Sequence, residues 1–117
     1  MSSLEASLSQ LLSAPGINTV ALVDAVTGLV YGQAGLGGVD GIECSDFAAL
    51  VGDGLHAAGA QGDLESIVVT SSHHHHILRS LPRQGDPVFL AATLEREQAN
   101  LALTLHELGV YATGAMT

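Results

Sequence analysis

Four consecutive histidines stand in the segment Ser72-His73-His74-His75-His76-Ile77-Leu78-Arg79. Imidazole both ligates metals and changes charge near neutral pH, so this is the chain's densest chemistry. The run lies mid-chain and passes without a break into Ile77-Leu78-Arg79, which marks it as native sequence and not an affinity tag. If Ser72-His73 forms a tight turn, His74 and His76 point to one face of the outgoing strand and His75 to the other. Side chains at i and i+2 stand about 7 Å apart, a spacing that two ligands of one metal can use. A zinc site takes three or four protein ligands, and the third would have to be His56, His106 or a carboxylate from elsewhere. The competing expectation is a hairpin tip whose histidines face solvent or a second copy. It requires no further residue and is preferred, with His74 and His76 kept as candidate metal ligands.

Other reactive residue types are sparse. Cys44 lies just before an expected helix start, where the helix dipole favours a thiolate, but Glu43 and Asp46 oppose one. A small apolar side chain closing a loop onto the core is therefore expected there. The loop Gly35-Leu36-Gly37-Gly38 resembles a phosphate cradle in glycine content alone, without GxGxxG spacing or a strand-to-helix setting. The chain has no lysine, so a P-loop cannot be built. No serine sits on a GxSxG elbow, and the carboxylates are scattered singly. No catalytic residue and no cofactor is expected, and the chain is not expected to be an enzyme.

Charge and composition narrow the partners. Twelve acidic residues face three arginines, Arg79, Arg83 and Arg96, for a formal net charge of -9. Affinity for phosphate backbones and anionic lipid comes from Lys and Arg, so neither nucleic acid nor a membrane surface is an expected partner. A protein with a basic face remains open. One cysteine excludes an internal disulfide framework and suits a reducing cytoplasm. No basic-then-apolar leader and no apolar run of about 18 residues is present, so membrane insertion is not expected.

The elements that must position these residues follow from periodicity. Ser2-Ser3-Leu4-Glu5 has the form of a capping box, and Leu4, Leu8, Leu11 and Leu12 continue it as one stripe that Pro15-Gly16 stops. Residues 17–24 (INTVALVD) and 29–33 (LVYGQ) read as a hairpin around Ala25-Val26-Thr27-Gly28. Residues 34–43 are glycine-rich and read as a loop. Ser45 then offers an N-cap for a helix lined by Phe47, Leu50, Val51, Leu55 and Ala58. Gly52, Gly54 and Gly59 lie within or at the end of this helix, and Ala48 and Gly52, with Ala49 beside them, give it a small-residue surface expected to admit another backbone closely. Strands are expected at 65–71, 75–81 and 87–94, with a turn at Arg83-Gln84-Gly85-Asp86. A last helix is expected from about Glu95, carrying Leu101, Leu105 and Leu108 and stopping at Gly109. The expected class is α/β of the α+β type, in the order α-β-β-α-β-β-β-α, as one domain over 1–117. Strands 17–24 and 87–94 are apolar at both parities, so both faces of the sheet centre need covering. A single helix cannot cover five strands, which predicts a second copy.

The landmarks Pro15-Gly16-Ile17 leading into VALVDAVTGLVYG (20–32), the strand 67–71, the turn SSHHHHILR and FLAATLEREQANLAL (89–103) together resemble the bacterial type of the roadblock/dynein light chain family. The resemblance covers nearly the whole chain. It implies an antiparallel five-stranded sheet sandwiched by helices, with one helix on one face and the two terminal helices on the other. It further implies a homodimer through the middle helix and an edge strand, which here places Phe47, Ala48, Val51, Gly52, Leu55, Ile67, Val68 and Val69 at the interface. The family resembles scaffolds and regulators of Ras-like small GTPases and not enzymes, and no arginine here is an evident finger supplied in trans. Binding or positioning of a GTPase or its signalling complex is the implied function. A histidine-centred metal-binding or small-ligand sensing protein is the alternative.

Overall fold

In a computed structural model of the chain, residues 3–60, 64–81 and 87–115 are described. Three helices, α1 (Ser3–Leu11), α2 (Gly41–Ala57) and α3 (Leu101–Ala115), surround one sheet. Its strands are β1 (Ile17–Asp24), β2 (Val30–Gly35), β3 (Ser66–Thr70), β4 (His74–Leu81) and β5 (Val88–Glu95). All pairs are antiparallel, in the order β2-β1-β5-β4-β3.

The central strands β1 and β5 consist mostly of Val, Ile, Leu, Ala and Thr and are largely buried on both faces, as their lack of alternation requires. One face carries Val20, Ile77, Leu90 and Leu94 and is covered by α1 through Leu8 and Leu11 and by α3 through Leu108. The other carries Ala21, Val23, Leu78 and Ala91 and is covered by α2 through Ala48. Ser7 and Tyr111 share a hydrogen bond of 3.0 Å that joins the two terminal helices. The β1–β2 turn is held by Asp24, whose Oδ1 accepts from the Val26 and Thr27 amides at 2.8 and 2.9 Å. Gly28 closes it at φ +78°, a conformation L side chains rarely adopt.

Three expectations are corrected. The middle helix starts at Gly41 and not after Ser45: Asp40 is its N-cap, accepting from the Glu43 amide at 3.0 Å. Ser45 lies within the helix, buried, with its hydroxyl donating to the Ile42 carbonyl. The last helix does not stop at Gly109 but continues to Ala115, and it begins at Leu101 and not near Glu95, which ends β5; Asn100 Oδ1 accepts from the Leu103 amide at its start. Gly109 is retained in the helix where Arg79 packs, 3.9 Å from where a Cβ would stand. Strand β2 is shifted to Val30–Gly35, two residues beyond its expected end. The expected N-terminal capping box and the Arg83 turn lie outside what is described. Among the described residues, no helix is long and apolar enough to cross a membrane.

Candidate functional site: the α2–β3 face

Helix α2 turns its smallest residues inward. Gly41, Ser45 and Ala48 lie against the sheet, with Ala48 only 5% exposed, so the expected interface residue Ala48 is taken up by the chain's own core. A Cβ on Gly41 would run into the Gly28 carbonyl oxygen, which explains a glycine at the first position of the helix. The large apolar residues face away. Phe47 is 39% exposed, and Leu50 and Leu55 are exposed as well, with Val51 half-buried. Gly52 and Gly54 have open space where a Cβ would stand, so the close approach expected there has no partner within the described chain.

Beside α2 the sheet continues uncovered to β3, its last strand. No charged residue or proline protects this edge, whose sequence is SIVVT. Natural sheets normally blunt such edges, because unpaired amides and carbonyls invite another strand. The β3–β4 register pairs Val69 with His76 and Ile67 with Leu78, which puts Ile67 and Val69 on the α2 face. Val68 pairs with Ile77 and belongs to the opposite face. Between α2 and β3–β4 runs a cleft of about 270 Å³, lined by Cys44, Phe47, Ile67, Val69, His76 and Leu78, with Asp40 and Glu43 at its wall. The site therefore joins an apolar helix surface, an open cleft and a bare strand edge.

The histidines divide as the strand period dictates. His74 and His76 share the α2 face, with ring centroids 6.0 Å apart. His75 is buried on the other face, its Nδ1 2.8 Å from Thr70 Oγ1. His74 Nε2 lies 3.3 Å from Glu95 Oε1, and Asn18 Nδ2 donates to the same oxygen at 2.8 Å. The Asn18 hydrogen bond, with smaller help from His74, holds the Glu95 carboxyl below its usual range. Among the described residues, no three His, Cys, Asp or Glu side chains are placed to hold a metal ion. Cys44 is half-buried, and burial first, then Asp40 and Glu43, push its thiol up, away from the thiolate. Arg96 donates to the Ser71 carbonyl at 3.2 Å, while Arg79 is half-buried on the α3 side with its Nε unpartnered.

Sequence periodicity did not reveal the cleft. Its walls come from α2 and the loop before it and from strands β3, β4 and β5, and no local spacing links them. The contribution of His76 was equally hidden, although its parity placed it on the correct face.

No protein-family model and no curated protein matches the sequence. Solved structures do match. A roadblock/LC7 domain from Streptomyces avermitilis superposes with a TM-score of 0.77 at 20% identity, covering 97% of this chain and 94% of that one. Myxococcus xanthus MglB gives 0.80 at 14% identity, over 97% and 91% of the two chains. A structure described as MglB with tetrameric arrangement gives 0.72 at 15% identity, over 92% and 80%. Together with the sheet order and the one-plus-two arrangement of helices, these likenesses show that the chain has the roadblock/LC7 fold.

Proposed function

We propose that the chain is a non-catalytic, homodimeric regulatory or scaffold module of the cytoplasm that binds a small Ras-like GTPase or its signalling complex. The observation that carries the dimer is the continuity of exposed Phe47 and Leu55 with the cleft and the unprotected β3 edge. A two-fold axis beside β3 pairs that edge with itself and lays α2 of one copy next to α2 of the other. The cleft is then filled by the partner's apolar side chains, and Gly52 meets a backbone. Ile67 and Val69 flank this seam on the α2 side and Val68 on the other, so all three border it. The GTPase is supported by the family resemblance, and a positioning role by the two described arginines: Arg96 is engaged by the Ser71 carbonyl and Arg79 lies half-buried.

The test is capture from native extract by the purified chain, in parallel with GDP and with a non-hydrolysable GTP analogue. A small GTPase enriched in one nucleotide state is the expected result; none in either state removes the GTPase from the proposal. The metal-sensing alternative has the 6.0 Å His74–His76 pair in its favour but no third ligand among the described residues.

A further inference from the structure

A second apolar surface lies at the opposite edge of the sheet. Val26 is 72% exposed and Leu29 57%, on either side of Thr27-Gly28, and Ile42 is 63% exposed in the first turn of α2. Single exposed apolar residues are ordinary, but here two distant segments bring three of them to one corner. The corner is built rigidly. A Cβ on Gly28 would lie 2.9 Å from Ile42 Cγ1, and one on Gly41 would meet the Gly28 carbonyl, so hairpin tip and helix start are locked together by two glycines. Beneath them Asp24 accepts from the Val26 and Thr27 amides, and its Oδ2 accepts from the Tyr31 hydroxyl at 2.9 Å. A surface held this firmly needs little ordering when a partner arrives.

The charges around it choose the occupant. Asp40, Glu43 and Asp46 are all exposed around Ile42. A second copy is a poor complement: the chain has no lysine and only three arginines against twelve acidic residues, and of the two described arginines Arg79 is half-buried and Arg96 is held by the Ser71 carbonyl. Two such corners face to face would bring carboxylates together. We propose that the corner formed by Val26, Leu29 and Ile42 docks a basic protein partner, through apolar side chains flanked by Lys or Arg. This rests on the regulatory reading in giving the partner a place, but its chemistry does not require that partner to be a GTPase.

The test uses the full chain, labelled for amide NMR and titrated with a short helical Leu–Lys peptide and with its Leu–Glu counterpart. The expected result is saturable shifts centred on residues 24–31, Gly41, Ile42 and Asp46 with the Leu–Lys peptide, leaving Phe47, Ile67, Val69 and His76 unmoved, and none with the other. Ile42→Ser and Leu29→Ser, both at exposed positions and checked for folding by circular dichroism, should each weaken binding about tenfold. Shifts centred on the α2–β3 cleft, shifts spread over the acidic surface, no binding, or variants that bind as the parent would overturn the proposal. Saturable binding here with no GTPase captured from extract keeps this surface and removes the GTPase; the reverse pair of results does the opposite.

Discussion

Asp24 and Glu95 both gain from being charged in the folded chain. The carboxylate of Asp24 is held below its ordinary 3.8 chiefly by the Thr27 and Val26 amides, and that of Glu95 below its ordinary 4.5 chiefly by Asn18. Unfolding releases both to their ordinary values, so the unfolded chain binds more protons in the acid range. Their stabilisation is complete above about pH 5 and is lost as pH falls through the folded-state values. Urea midpoints measured between about pH 3 and pH 6 should therefore rise with pH, and Asp24→Asn should flatten that rise and lower the plateau. An unchanged slope in the variant would show that the turn does not depend on the charge. Polar residues at strand ends are legible in a sequence as turn markers, and Asp24 is one. That its side chain is buried was not legible, because burial follows from the Tyr31 hydroxyl arriving from the neighbouring strand. The His74–His76 parity was legible for the opposite reason: period two is a local property of the backbone.

At the scale of elements, strands β1, β4 and β5 were read to within a residue or so, since long apolar runs bounded by turn residues leave little choice. Helix α2 was not. Its glycine-rich entry hid Asp40-Gly41-Ile42-Glu43, a capping sequence that stood in plain view, and the helix tolerates Gly41 because the Gly28 carbonyl leaves no room for a side chain. Periodicity found its apolar stripe but could not say that the stripe faces away from the sheet. The two interior glycines now make a specific prediction. Each costs about 1 kcal/mol relative to Ala in a helix, and a methyl at either position meets nothing within the described chain. Gly54→Ala should raise the melting temperature of the chain at every concentration. Gly52→Ala should stabilise the dilute chain yet weaken self-association, because the proposed dimer sets the second copy against it. Melting curves across a concentration series separate the two effects. If Gly52→Ala leaves the concentration dependence untouched, no backbone approaches there.

For the whole molecule, the balance between apolar contact and like charge decides whether two copies stay together. A stable pairing commonly covers about 800 Å² on each partner. The outer side of α2, the cleft and the β3 edge are continuous and offer the apolar part of such an area, while each copy brings a net charge of -9. The charge is spread over the surface and screened over about 8 Å at physiological salt, whereas the apolar contact is not screened. Raising the ionic strength from about 0.01 M to about 0.15 M should therefore tighten the dimer. Phe47→Asp tests the contact itself. In the isolated chain Phe47 is already partly exposed, so folding should survive. In the dimer the new carboxylate would be buried beside Asp40 and Glu43, at a cost of about 3 kcal/mol, which is a dissociation constant raised roughly a hundredfold. Leu103→Asp is the control, exposed on α3 across the sheet, and should leave association unchanged. Sedimentation equilibrium at two salt concentrations reads all three forms. A parent chain that is monomeric at micromolar concentration, or a Phe47→Asp variant that associates like the parent, would mean that the α2–β3 face is not where copies meet. The apolar surface there would then require a different protein to cover it.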